Sequence, residues 1–176
     1  MNRLTRLWAG LSRLHHSLGF GIQSPTDYAF VRYVVNEHWP YYAYKQLDRL
    51  DGDWLEHQLG RLYFRLANWR QPSKIMEDEY APYWQAGCNH VRLTKEMESM
   101  ELVRVRMSDV NQPLLHHIYN KVDDQSVLIV EGIYQDWKQW HQIQEDQRVR
   151  VSFDLYYCGI VFFDSKRQKQ HYKVNF

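Results

Sequence analysis

Apolar side chains at Leu4, Leu7, Trp8, Leu11, Leu14 and Leu18 recur at intervals of three and four, the spacing of one helical stripe. Arg3, Arg6 and Arg13 lie off that stripe and no acid precedes Asp27, so residues 1–20 read as a basic amphipathic helix. Such a helix can rest on an anionic membrane, fill a partner's groove, or dock on its own domain or a twin subunit. Gly19 to Gln23 is a break. Ser24 then offers an N-cap and Pro25 a first helical position, where its missing N–H costs nothing. The pattern predicts a helix from about Pro25 to His38, with Tyr28, Val31, Val34 and Val35 on one face, stopped by Trp39-Pro40. Tyr41 to Leu50 forms another segment, and Asp53 to Trp69 a longer helix presenting Leu55, Leu59, Leu62, Tyr63 and Leu66. The first seventy or so residues therefore read as helical.

Past Gln71-Pro72-Ser73 the period changes. Lys74 to Glu77 is a short buried-strand candidate, and Leu102 to Met107 alternates like a strand with one face in water. Pro113 to Lys121 reads as a helix with Leu114, Leu115 and Ile118 inward. Ser126 to Val130 is a continuous apolar run, as in a strand covered on both faces. Trp137 to Glu145 reads as a helix. Arg148 to Leu155 and Gly159 to Phe163 read as a hairpin, and His171 to Phe176 as one further strand. Helices alternating with apolar strands imply a parallel α/β sheet, here ending in an antiparallel hairpin. Residues 1–72 form a helical extension and 73–176 the α/β part, packed as one unit.

Composition narrows the function classes. The chain has 176 residues, 44% of them hydrophobic, enough for one domain with a sizeable core. Lys and Arg number 22 against 21 Asp and Glu, a balance that argues against a nucleic-acid binder working by phosphate neutralisation. No window approaches the roughly eighteen apolar residues of a membrane span. No secretory leader is readable, and Cys88 and Cys158 make neither a disulfide framework nor a metal spacing, so a cytoplasmic location is expected.

Four stretches together resemble small bacterial class I S-adenosylmethionine-dependent methyltransferases that carry a helical N-terminal extension. They are Gly21 to Pro25 with Tyr41 to Tyr44; Arg65 to Pro72 leading into Ile75 to Glu77; Ser126 to Ile133 with Trp137; and Arg148 to Leu155 with Gly159 to Phe163 and Gln170-His171-Tyr172. The last is the most specific, because the strand-turn-strand and its Gln-His tail match in order and spacing. The resemblance implies a Rossmann-like sheet and S-adenosylmethionine as cofactor. None of the four stretches is a catalytic motif.

The family's chemistry depends on a glycine-rich turn after the first strand, where backbone closely approaches the cofactor. In this chain no glycine follows Glu77 until Gly87, and Tyr80, Tyr83 and Trp84 would fill the space the cofactor needs. Asp78 and Glu79 add negative charge there, and Pro82 removes a donor. The family also places two strand-helix units between that turn and the fourth strand, and the fifteen residues from Gly87 to Glu101 are too few for both. About five strands are expected, with the first strand left near an edge. Glu77, at the position of the family acid, and Asp109, after the fourth strand, remain as vestigial cofactor-binding candidates. No catalytic residue is assigned. Some relatives hold a divalent cation with acids at these strand ends, but Glu131-Gly132 stands where two adjacent ligating side chains would be, so no metal is expected.

The pairs His15-His16 and His116-His117 point about 100° apart on a helix and read as surface or capping residues. No nucleophile candidate is identified for His171, and Cys158 reads as a small buried filler. The aromatic residues of 39–44, 80–84 and 134–140 read as core, with an aromatic-lined pocket as the alternative. The sequence thus points to a truncated methyltransferase-like α/β protein that binds no cofactor and acts by protein interaction, with an unknown partner or as a homodimer. The alternatives are an active methyltransferase with a rebuilt pocket, and a membrane- or partner-docking protein using residues 1–20.

Overall fold

The computed structural model describes residues 21–76, 79–95 and 101–176. The amphipathic reading of residues 1–20, with His15-His16, lies outside them, as does the candidate Glu77. Ser24 accepts a hydrogen bond from the Asp27 N–H at 3.3 Å and opens α1, Pro25–Phe30, which runs on into a π-helical turn, Val31–Val35. One short turn, α2 (Tyr44–Leu47), precedes α3 (Trp54–Arg70). A reciprocal capping box of Asp53 and Glu56 starts α3, and left-handed Gln71 ends it.

The strands are β1 (Lys74–Met76), β2 (Arg92–Thr94), β3 (Leu102–Arg106), β4 (Val127–Glu131), β5 (Val151–Asp154), β6 (Cys158–Phe162) and β7 (Gln170–Lys173). Between them lie α4 (Ala81–Gly87), α5 (Gln112–Tyr119) and α6 (Trp137–Glu145). The seven strands form one mixed sheet in the order β2-β1-β3-β4-β6-β5-β7, in which only β6 runs against the others. The molecule is an α/β protein compatible with a Rossmann-like fold. One apolar layer joins α1, α3 and α4 to Ile75, Leu102, Ile129, Phe153 and Phe162. The other joins α5 and α6 to Val103, Val105, Leu128, Val130 and Val161. Phe30 of α1 packs against Phe153 and Phe162 at centroid distances of 4.9 and 5.0 Å, so the extension and the sheet share one core.

Four expectations need correction. The sheet has seven strands and not about five: the further strand read at His171 to Phe176 is β7, at Gln170–Lys173, and β2 was not foreseen. One strand-helix unit does follow β1: the stretch read as a failed glycine turn is the helix α4, which returns the chain to β2. β1 is therefore flanked by β2 and β3 and is not an edge strand. The β5–β6 pair also lies inside the sheet, because β7 covers β5 in parallel. Finally, β3 does not have a wet face. Leu102 to Val105 are all buried, Arg104 included, because α3 and α4 cover the face on which Arg104 lies.

Candidate functional site

The chain leaves β1 toward β2 on one side and enters β3 on the other, so β1 and β3 bound the topological switch point of the sheet. In open α/β sheets ligands bind in the crevice beyond the strand carboxyl ends at such a point. Arg104 and Arg106, two residues apart on β3, lie on one face there, and Arg106 is in register with Glu131 at the end of β4. Glu79, arriving after β1, takes both guanidiniums, bonding Arg104 Nη2 through one oxygen and Arg106 Nη2 through the other. Arg104 Nε lies 3.6 Å from Glu131 Oε2, and the Tyr63 hydroxyl of α3 donates to the same oxygen at 2.7 Å. Two cations and two carboxylates close on each other.

Rings seal the arrangement. The Arg104 guanidinium lies 4.9 Å from the centre of the Tyr80 ring, and Tyr80 meets Tyr63 edge-on at 4.7 Å. Trp84 stacks on Tyr63 at 4.8 Å. Burial first, and then the Glu131 carboxylate, push the Tyr63 phenol well above its usual pKa, so it remains a hydrogen-bond donor. The same two causes hold the Cys158 thiol protonated across the β4–β6 ladder. A thiol in that environment is not a nucleophile.

The segment after β1 folds as α4 and packs closely on α3. Its one glycine, Gly87, is used for helix packing: a Cβ there would lie 2.2 Å from the Phe64 carbonyl oxygen of α3. Gly60 of α3 answers it, leaving room for the Tyr83 ring, which a Cβ would approach to 2.5 Å. The Tyr83 hydroxyl is fixed 2.8 Å from His57 Nδ1. Pro82 sits in the first turn of α4, where a missing N–H is harmless. Close backbone approach thus serves α3–α4 contact here.

Asp109 ends the short 3-10 turn after β3 and is exposed, accepting from Ser108 Oγ at 3.1 Å. It lines a cavity of ≈ 290 Å³ with Glu79, Lys95, Arg104 and Arg106. Of the two sequence candidates, the structure therefore places Asp109 beside the network. Among the described residues no three His, Cys, Asp or Glu side chains gather in a way that could hold a metal ion. His116 contacts Asn120 one turn on along α5. His171 does have a hydroxyl neighbour: its Nδ1 lies 2.8 Å from Ser152 Oγ, which accepts from Gln144 Nε2 at 2.9 Å. Ser152 is fully buried on β5, so this contact is structural. Burial lowers the pKa of His171, with Lys169 adding to the effect.

Sequence reasoning missed Tyr63, Arg104 and Arg106 as members of the site. The available signal was the i, i+2 pair of arginines on a strand entering the switch point. Compared with known proteins, the chain matches no family model, no curated protein and no solved structure.

Proposed function

We propose that this chain is a methyltransferase-like α/β protein of the cytoplasm that does not bind S-adenosylmethionine and acts through protein interaction, with another protein or a second copy of itself. The observation that carries the reading is the closed Glu79–Arg104–Glu131–Tyr63 network, capped by Tyr80 and Trp84, at the place where an open α/β sheet offers its ligand crevice. Its charges balance, and opening it for a ligand would strand a buried guanidinium. No nucleic acid enters the reading, since the charge balance offers no phosphate-binding excess. Among the described residues no helix is long and apolar enough to cross a membrane.

An active enzyme with a rebuilt pocket is the second reading, favoured by the ≈ 290 Å³ cavity that Asp109 and Glu79 line. That volume lies at the lower end of ordinary ligand pockets, roughly 300–1,000 Å³. Calorimetric titration with S-adenosylmethionine and S-adenosylhomocysteine separates the two. The proposal expects no saturable heat. Binding tighter than about 100 µM, about −5.5 kcal/mol, overturns it in favour of the enzyme.

A further inference from the structure

Four side chains of α6, β5 and β7 form one continuous chain of hydrogen bonds. Ser152 of β5 is in register with His171 of β7, so their side chains stand together on the face that meets α6. His141 and Gln144, three residues apart, share one side of α6. His141 Nδ1 lies 3.0 Å from Gln144 Oε1, Gln144 Nε2 donates to Ser152 Oγ at 2.9 Å, and Ser152 Oγ lies 2.8 Å from His171 Nδ1. Gln144 is 6% exposed and Ser152 not at all, whereas both histidines reach water.

The chain has a direction. An amide oxygen only accepts, so His141 Nδ1 carries a hydrogen and donates. Ser152 Oγ takes the Gln144 N–H, and among the described residues its own hydrogen has one acceptor in reach, His171 Nδ1. His171 Nδ1 is therefore bare and its ring hydrogen is on Nε2. Turning the Gln144 amide over reverses every bond. Gln144 then donates to a bare His141 Nδ1, Ser152 to the Gln144 oxygen, and His171 Nδ1 to Ser152. In either direction one histidine donates inward and the other accepts.

An imidazolium has a hydrogen on both nitrogens, so it fits only the donating end. Charging both ends makes both donate inward, and the Ser152 hydrogen is left without an acceptor in a fully buried position. We propose that His141 and His171 are the two ends of one relay that takes a single proton, so that a proton on either end bars one from the other. The relay is a pH-sensitive device joining α6 to β7, the strand whose Tyr172 also binds Asp27 of α1. Only the second proton breaks it. The folded chain holds that proton more weakly than an unfolded histidine does, so stability falls as pH drops below about 6.5.

Other charges face the relay from each element. Lys138 and Glu145 flank His141 on α6, Arg150 and Asp154 lie two residues either side of Ser152 on β5, and Lys169 and Lys173 two either side of His171. Burial lowers the His171 pKa most, Lys169 adds to this, Glu145 opposes it, and direct repulsion from His141 contributes. The device lies across the sheet from the switch point and does not depend on whether a cofactor binds there.

NMR titration of the histidine rings in the full chain tests it. At about pH 9, above the histidine range, nitrogen shifts should place the hydrogen on Nδ1 of His141 and on Nε2 of His171. His141→Ala removes one end and should raise the His171 midpoint by about half a pH unit or more, an affinity gain of about threefold. Charge repulsion alone would do the same, and two further arms separate it. Ser152→Ala cuts the relay, so adding His141→Ala to it should leave the His171 midpoint unmoved within about 0.2 pH unit. With Ser152 intact, the shift caused by His141→Ala should persist in about 1 M salt, where exposed charges are screened. If the Ser152 variant fails to fold, the ring hydrogens and the salt arm decide. The same tautomer on both rings, no shift on His141→Ala, or a shift that survives Ser152→Ala or disappears in salt overturns the proposal.

Discussion

Arg104 carries a full charge on the covered face of β3, and the two carboxylates that neutralise it come from different parts of the chain. Glu79 follows β1, while Glu131 ends β4 and takes a further bond from Tyr63 of α3. A buried ion pair of this kind adds little over an apolar replacement, but removing one partner exposes the full desolvation cost of the other. Arg104→Met should therefore destabilise the protein by about 3 kcal/mol, toward the lower end of about 3–5, because Glu79 is partly open to water. Urea unfolding checks this, and adding Glu131→Gln should recover part of the loss, since the two sites share one network. Additive losses would mean that the two side chains act independently. The arginine was legible in the sequence, but its burial was not: alternation along a strand marks two faces and does not say whether a helix covers each one.

At the scale of elements, long periodic segments were readable and short ones were not. The expected helix Trp137 to Glu145 is α6 to the residue, because Asp136 caps it by accepting from the Gln139 N–H at 2.9 Å. β2 has three residues and no period to detect, and it exists by pairing with β1. α4 did leave a trace, since Tyr80, Tyr83, Trp84 and Gly87 fall at helical spacing, but comparison with a glycine turn concealed it. The two glycines that join α3 to α4 differ in what faces them. Gly87→Ala would press on a backbone carbonyl that cannot step aside, whereas Gly60→Ala meets the Tyr83 ring. The first should cost about 3 kcal/mol, the upper part of the overpacking range, and the second less. Denaturation midpoints of the two variants check the order, and a larger loss at Gly60 would contradict the packing described above.

For the whole molecule, closure depends on contacts between residues far apart in the chain. Asp27, buried in the first turn of α1, receives Arg167 Nη2 and the Tyr172 hydroxyl, the latter at 3.0 Å. This fastens the helical extension to β7 and to the loop before it. Burial first, then the bond to Asp27, pushes the Tyr172 phenol up to about 12. Asp27→Asn keeps the shape and removes the charge, leaving Arg167 partly buried without its counterion. A loss of about 3 kcal/mol is expected. Hydrogen exchange should show amides of α1 and β7 losing protection together, and loss confined to α1 would refute the clasp.

The sequence by itself determined the class of the fold: helices first, then strands alternating with helices, because hydrophobic periodicity records which face of each long element is buried. It also shows that no glycine lies between Met76 and Gly87, where Tyr80, Tyr83 and Trp84 stand instead. Only the tertiary structure decided that Arg104 is covered, that Glu79 and Glu131 meet at it, and that Arg65 is buried against the Val34 and Val35 carbonyls. Those outcomes depend on distances between side chains up to about fifty residues apart, and local periodicity carries no record of such distances.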